Sequence, residues 1–173
     1  MPLLTRETIM DALDRLNGEL AARQVHAELF LVGGAVMCLV HQARPATKDV
    51  DGWFTEPRSV REAAKAVAKE LDLPEDWLND AAKGFVPPNA GYETWREMSN
   101  LTISTTNIRT LLAMKCAAAR TDADVDDIRT LTTRLGIRTT SDVLAVVTEY
   151  FSEERLPVRT RLLLEEMFDD DRS

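Results

Sequence analysis

The chain has 173 residues, of which 45% are hydrophobic and 29% charged, a balance typical of a folded globular protein that excludes wholesale disorder. Its longest apolar runs, such as Ala35 to Val40, are far shorter than the roughly 20 residues needed to span a bilayer, and the first residues show no signal-type pattern. We therefore expect a cytoplasmic protein with no membrane partner, built as one domain or as a small domain with a helical appendage.

The charged and metal-binding residue types narrow the kinds of site further. There are 29 acidic and 21 basic residues, a formal net charge of -8, so the long-range attraction expected of a strong nucleic-acid binder is missing. The two cysteines, Cys38 and Cys116, have no CxxC spacing, and the chain has two histidines. These features argue against a disulfide scaffold, a thiolate zinc site and an imidazole metal site.

The first 105 residues alternate between helix and strand patterns, which predicts a small α/β core. An apolar stripe after the capping residue Thr5 is typical of an amphipathic helix, and the short apolar run at 29–32 is typical of a buried strand. The predicted elements are, in chain order, a helix after Thr5, a strand at 29–32, a helix at 35–42, a strand at 49–54, a helix at 57–71, a short helix at 74–78, a loop at 84–92 and a strand at 100–104.

From residue 106 onward the pattern is helical throughout. Four helices are predicted, at 107–120, 123–136, 141–152 and 158–168. Gly136 ends the second of them, and Pro157 separates the last two. The sequence thus predicts an α+β fold, in which a small mixed β-sheet flanked by helices (1–105) precedes a C-terminal helical bundle (106–168) and an acidic tail (169–173).

The first candidate site is the pair Gly33-Gly34 between the predicted strand and helix. Two glycines at such a turn let backbone N–H groups approach a phosphate closely, and the start of a helix favours negative charge. A lone Gly-Gly pair also occurs as a simple tight turn, and by itself it favours that interpretation.

The second candidate is Asp49-x-Asp51. On a strand, residues two apart point to the same face about 7 Å apart, so both carboxylates can converge on Mg²⁺, which prefers oxygen ligands. The Asp-x-Asp spacing recurs at 122/124, 124/126 and 169/171, so most of these pairs are incidental. Asp49 and Asp51 differ because they open an apolar strand shortly after Gly34, where charged side chains need a partner and a cation is the natural one.

The third candidate is Lys115 with the acids that follow it. The helix pattern puts Lys115 in the same stripe as Ile108 and Leu112. Either the lysine extends to solvent, or it points into a site and meets an anion. Among the later acids, Asp127 adjoins an apolar stripe and could complete a metal site or orient Lys115, whereas Asp122 and its neighbours suit a helix N-terminus.

Together these segments resemble a known superfamily. Leu31-Val32-Gly33-Gly34-Ala35, followed by Arg44-x-x-Thr47-Lys48-Asp49-Val50-Asp51, is similar to the signature of DNA-polymerase-beta-type nucleotidyltransferases. Leu112-Ala113-Met114-Lys115-Cys116, with Arg120 and Asp124-x-x-Asp127-Ile128, resembles the abortive-infection nucleotidyltransferase toxins and their small relatives. The segment Asp76-Trp77-Leu78-Asn79-Asp80 also looks like one in those relatives. The resemblance covers residues 27–135 and implies a nucleotidyltransferase core in the first part of the chain.

The resemblance also implies which residues bind the nucleotide. Gly33 and Gly34 would form the triphosphate turn, and Thr47 and Lys48 would be further nucleotide-binding residues. Lys115, from the helical region, would contact the phosphates.

The catalytic residues implied by the resemblance are Asp49, Asp51, Lys115 and Asp127. Asp49 and Asp51 would be the Mg²⁺ ligands, and Asp127 would support either the metal site or Lys115. Many superfamily members carry a third strand carboxylate, which residues 100–104 do not supply. Many also have serine where this chain has Gly34, so a hydroxyl contact to phosphate is missing at that position.

The implied reaction is Mg²⁺-dependent transfer of a nucleoside monophosphate from an NTP, such as ATP or GTP, to an acceptor hydroxyl on a tRNA end or a protein. By resemblance the protein would be the toxin of a toxin–antitoxin pair, with a cognate antitoxin as partner. Two alternatives stay open: a catalytically silent interaction module with the same fold, and an enzyme that adenylylates a small molecule such as an antibiotic. Mg²⁺-dependent NTP binding separates the enzyme from the silent module.

Overall fold

The computed structural model describes residues 2–119 and 122–169, and the chain divides into two compact units. The first unit comprises Met1–Gly84 and Tyr92–Thr106, and the second comprises Phe85–Gly91 and Asn107–Ser173. Arg120 of the quoted motif and residues 170–173 of the predicted acidic tail lie outside the described residues. No helix within the described ranges is long and apolar enough to cross a membrane.

The first unit is built on a five-stranded mixed sheet with the strand order β5-β4-β2-β7-β6. Its elements are β1 (Leu4–Thr5), α1 (Arg6–Ala22), β2 (Ala27–Val32), α2 (Gly33–Leu39), β3 (Ala46–Thr47), β4 (Val50–Phe54), α3 (Pro57–Leu71), β5 (Leu78–Asn79), β6 (Tyr92–Glu97) and β7 (Leu101–Thr106). The central strand β2 runs antiparallel to β4 and parallel to β7, and β1 pairs separately with β3. The predicted combination of helices with a mixed sheet is confirmed.

Alternation along the strands explains why one face of this sheet is buried. In β2 the side chains of Ala27, Leu29 and Leu31 are fully buried, whereas Glu28 is exposed and Phe30 half-buried between them. This period of two is what an extended strand with one core-facing side requires. The predicted apolar stripe of α1 is also buried, and α1 packs against α3.

Besides the two-residue strands β1 and β3, which were not predicted, two features of the first unit differ from the sequence prediction. Residues 74–78 do not form a helix: Trp77 is fully buried and donates its Nε1–H to the carbonyl of Ala64 (3.0 Å), and the chain then enters β5. The other difference is β6, an edge strand that the sequence pattern did not reveal. Its residues are polar apart from Tyr92 and Trp95, so they lack the apolar alternation that marks a half-buried strand.

The second unit is helical, as predicted. Its helices are α4 (Ile108–Ala118), α5 (Asp122–Leu135), α6 (Thr140–Tyr150) and α7 (Val158–Asp169). Asn107 and Thr139 cap α4 and α6 by accepting backbone N–H groups of the first turns. Gly136 follows α5 with a φ of +68°, a conformation that glycine adopts without strain and that ends the helix where the sequence predicted.

The close approach of β4 to β2 leads to a stability prediction for Gly52. A Cβ on Gly52 would lie 2.5 Å from the carbonyl oxygen of Phe30, which is fixed in the ladder. We expect Gly52→Ala to lower the free energy of unfolding by about 1–3 kcal/mol. Gly18→Ala is the matched control, since that α1 position has nothing within 4 Å and should gain about 0.5–1 kcal/mol. Urea denaturation of both variants measures this, and equal changes would contradict it.

Candidate functional site

The Gly33-Gly34 turn joins the end of β2 to the start of α2. Gly33 has a φ of +68°, a left-handed conformation that strains other residues. Gly34 is required for a different reason: a Cβ there would lie 2.7 Å from Thr47 Oγ1 and 3.3 Å from Arg44 Nη1. Gly33 is therefore favoured by its backbone conformation, and Gly34 leaves the space that the Thr47 and Arg44 side chains occupy.

Asp51 lies beside this turn because β4 is paired antiparallel with β2. The register sets Asp51 opposite Val32, the last residue of β2, and the Asp51 Oδ2 atom lies 3.9 Å from the ideal Cβ position of Gly33. The side chain is half-buried. The structure thus brings a carboxylate to the Gly33 backbone, as expected from the quoted motif.

Asp49 immediately precedes β4, and its carboxylate is held by Asn79. The Asn79 Nδ2 atom donates to Asp49 Oδ2 at 3.1 Å, while Asn79 Oδ1 accepts the backbone N–H of Ala81. Asn79 lies in β5, directly opposite Asp51 in the parallel pairing with β4. A hydrogen bond of this kind orients a carboxylate toward a ligand. Asn79 is not among the predicted site residues, since the sequence pattern places it after a short helix rather than in a strand.

Carboxylates are the side chains through which a protein could hold a magnesium ion shared with phosphate oxygens. Mg²⁺ is commonly held by one or two protein carboxylates and completes its octahedron with water and substrate phosphates. Within 2–119 and 122–169, no group of three or more His, Cys, Asp or Glu side chains is positioned to hold a metal. Asp49 and Asp51 could serve as two such protein carboxylates, with phosphate oxygens and water completing the coordination.

The predicted nucleotide-binding residues differ in their surroundings. Thr47 lies in β3 with 7% of its surface exposed, and its hydroxyl faces Gly34. Lys48 is exposed in the bend between β3 and Asp49. Thr47 thus lies at the glycine turn. The exposure of Lys48 gives no structural support for its predicted role as a nucleotide-binding residue.

Lys115 forms a buried cluster with two carboxylates inside the second unit. The Lys115 Nζ atom lies 2.8 Å from Asp127 Oδ2 and 3.0 Å from Asp124 Oδ1. The lysine side chain is 11% exposed and that of Asp127 2% exposed, so the ammonium does not extend into solvent. Asp127 takes one of its two predicted parts, that of a partner to Lys115. Asp124 also belongs to the cluster and lies one helical turn before Asp127 on α5. The three-residue spacing of the two aspartates is the sequence feature that indicates this shared helix face.

An aromatic cluster follows Asp51 along β4. Trp53 stacks on Phe30 with ring centroids 3.9 Å apart, and its Nε1–H donates to the Tyr92 hydroxyl at 2.8 Å. Burial raises the pKa of Tyr92, although the hydrogen bond from Trp53 acts in the opposite direction. The three half-buried rings tie β2, β4 and β6 together next to the carboxylates. Trp53 therefore anchors neighbouring strands of the sheet to one another.

The two cysteines do not form a nucleophilic site. Cys38 and Cys116 are both buried and unoxidised, in different units. Burial raises the pKa of the Cys116 thiol to about 12 and also raises that of Cys38. Thiols that stay protonated at neutral pH are poor nucleophiles.

No protein-family model, curated protein or solved structure matches the chain. The likeness to nucleotidyltransferases therefore depends on the quoted motifs, and the function has to be inferred from the geometry of the Gly33–Asp51 region.

Proposed function

We propose that the protein is a Mg²⁺-dependent nucleotidyltransferase that moves a nucleoside monophosphate from an NTP to an acceptor hydroxyl. The observation that carries this proposal is the position of the Asp51 carboxylate beside the Gly33 backbone. Asp49, two residues before it in the chain, accepts a hydrogen bond from Asn79. A turn that admits phosphate and a pair of metal-binding carboxylates are the two parts that phosphoryl transfer needs most. Its catalysis consists mainly of positioning and charge neutralisation.

The reaction forms one bond and breaks one bond at the α-phosphorus. The acceptor oxygen attacks, the bond from the α-phosphorus to the bridging oxygen breaks, and pyrophosphate leaves with the electron pair. Bound Mg²⁺ would neutralise phosphate charge. Asp49 and Asp51 would hold it, and Asp51 is our choice for the group that accepts the acceptor's proton.

Lys115 enters the proposal as the residue that contacts nucleotide phosphates, and the support for this is the sequence motif. Its ammonium is paired with Asp124 and Asp127, which fixes the direction of the side chain. An ammonium has three donors, and two carboxylates use two of them. One N–H can therefore still serve a phosphate oxygen.

The proposed acceptors are the hydroxyl at a tRNA end and a protein hydroxyl, in a toxin whose partner is a cognate antitoxin. The net charge of -8 favours an acceptor recognised over a small area.

A silent interaction module is the second candidate, and one observation favours it. In the described part of the chain no third carboxylate joins Asp49 and Asp51 in a metal-binding group. A fold that had lost metal binding would keep the glycine turn for its shape and would show no NTP binding.

We expect at least one NTP to bind in a Mg²⁺-dependent way. Its affinity should fall by at least about a hundredfold in Asp49→Ala/Asp51→Ala, because both metal ligands are gone. Isothermal titration of the four NTPs, with and without Mg²⁺, measures this. Asp72→Asn is the matched control: it removes an exposed carboxylate at the end of α3, and asparagine tolerates the left-handed conformation there. Folded wild-type protein that binds no NTP would support the silent module instead.

A further inference from the structure

The stacked rings of Phe30 and Trp53 lie on the face of the sheet opposite to the core, the same face that carries Asp51. Along β4 the first, third and fifth residues are buried, whereas Asp51 and Trp53 between them are half-buried. Residues two apart on a strand point to the same side, about 7 Å from each other. The Trp53 indole is therefore the next side chain after the Asp51 carboxylate along this face.

Phe30 covers one side of the Trp53 indole, and the other side is directed toward the β5 edge of the sheet. Phe30 lies directly opposite Trp53 in the ladder of β2 and β4, and the planes of the two rings differ by 9°. Strand β5, the neighbour of β4 on the other side, pairs with Val50 and Asp51 and ends there. Among the described strands, none continues beside Trp53 on that side, and its side chain stays half-buried.

Tyr92 adds a hydrogen-bond donor to the two stacked rings. Its hydroxyl oxygen accepts the Nε1–H of Trp53, so the hydroxyl hydrogen points elsewhere. Within residues 2–119 and 122–169, no atom accepts that hydrogen. A flat apolar surface with a donor at its margin has the chemistry that binds a nucleobase, which offers a π face and acceptor atoms along its edge.

We propose that this aromatic cluster is the nucleobase subsite of the nucleotidyltransferase, in which the base of the bound NTP stacks on Trp53 and accepts a hydrogen bond from the Tyr92 hydroxyl. The order of the groups supports this. Asp51 lies opposite Val32, the residue before the glycine turn, and Trp53 follows about 7 Å further along β4. An NTP carries its polyphosphate, α-phosphate and base in that same order. The inference rests on the proposed function and concerns the part of the nucleotide that the glycine turn and the carboxylates do not bind.

The stacking contact is tested with Trp53→Leu, which keeps an apolar side chain but has no π face. The probes are the Mg²⁺-NTP that binds wild type best and inorganic tripolyphosphate with Mg²⁺, each titrated calorimetrically. We expect the NTP affinity to fall about 5- to 150-fold, the range for one base stacked on an aromatic ring, and the tripolyphosphate affinity to stay within about threefold of wild type. Trp95→Leu is the matched control, because it removes a half-buried indole from the edge strand β6, which two strands separate from β4.

The hydrogen bond is tested with Tyr92→Phe, which removes the hydroxyl and keeps the ring. We expect it to bind the NTP about 2- to 10-fold more weakly, the range for a neutral hydrogen bond, and to bind tripolyphosphate as wild type does. Unchanged NTP affinity in this variant overturns the contact assigned to Tyr92.

Fluorescence tests the stacking without depending on stability. Trp53→Phe keeps an aromatic ring at this position but removes its indole emission. We expect Mg²⁺-NTP to change the tryptophan emission of wild type, and this change to be absent in Trp53→Phe although that variant still binds the NTP. Tripolyphosphate has no base and should change the emission of neither protein.

The outcomes separate this inference from the proposed function. Wild-type NTP affinity in Trp53→Leu, or an equal loss for the NTP and for tripolyphosphate, overturns the inference and leaves the nucleotide site standing. Wild-type protein that binds no NTP overturns both. Emission of Trp53 that responds to an adenosine-ended trinucleotide but not to the NTP assigns the cluster to an acceptor base and overturns the inference. If Trp53→Leu does not fold, Trp53→Phe decides: an NTP-induced emission change that persists in it overturns the inference.

Discussion

Asp51→Asn is expected to reduce NMP transfer at least about a hundredfold while the protein stays folded. Asparagine has nearly the shape of aspartate but no charge, so it is a poor Mg²⁺ ligand and a poor proton acceptor. Loss of one group that stabilises transition-state charge typically costs two to three orders of magnitude in rate. Asp51 is half-buried at the start of a paired strand, and asparagine adds no volume there.

The measurement uses α-³²P-labelled NTPs with total tRNA and, separately, total cell protein as acceptors. Labelled product is followed on denaturing gels for wild type, Asp51→Asn and the control Asp72→Asn. Asp72 is an exposed carboxylate after the last residue of α3 and is not one of the predicted site residues, so its substitution should leave transfer unchanged. Circular dichroism and a urea titration confirm that the variants are folded.

Full transfer activity in Asp51→Asn would falsify the two-carboxylate mechanism. The site would then have to work with Asp49 as the one charged ligand of the pair. Retained NTP binding with lost transfer would instead leave Asp51 as the proton acceptor and make Asp49, with its partner Asn79, the main metal ligand.

The parts of the site that the sequence predicted are those encoded by short stretches of chain. Each of three local patterns predicts its structure from a few adjacent residues. They are the apolar run of β2, the two glycines after it and the alternating aspartates. Strand pairing then brings Asp51 to Gly33 because an antiparallel register sets it opposite Val32. A local pattern plus one pairing is enough to predict this contact.

The role of Asn79 and the contact between the Thr47 hydroxyl and Gly34 could not be predicted in the same way. Strand β5 is two residues long, and its position depends on the burial of Trp77 against Ala64 and on pairing with β4, which are contacts distant in sequence. The Thr47 hydroxyl meets Gly34 through the ladder of β1 and β3, each also two residues long. Such short strands carry no periodicity of their own.

The cluster around Lys115 was predicted only as a choice between alternatives. Its helix pattern showed a lysine in an apolar stripe, which fits either a solvent-directed chain or a buried pair. The approach of α5 to α4 decides this, since it brings Asp124 and Asp127 to the ammonium together. This geometry results from the packing of α5 against α4, so the sequence of either helix alone does not predict it.

Lys115→Met is expected to lower the free energy of unfolding by about 3–5 kcal/mol, because it removes the Lys115 ammonium from Asp127, whose side chain is only 2% exposed. Arg109→Met is the matched control in the same unit: it removes the cation of the Arg109–Glu149 pair, whose side chains are both 45% exposed. That change should cost about 0–1 kcal/mol. Urea denaturation measures both, and equal losses would contradict the buried-pair explanation.

A second substitution distinguishes the structural part of Lys115 from its proposed contact with phosphate. In Lys115→Met/Asp127→Leu both partners of the closest pair are replaced by apolar side chains, an exchange that is often neutral or stabilising. We expect it to recover most of the stability lost in Lys115→Met, while Asp124 keeps access to solvent at 19% exposure. If the lysine also contacts the nucleotide, the stable double variant still lacks NMP transfer. If it transfers at the wild-type rate, Lys115 is a structural residue and the phosphates are bound by the first unit's own groups.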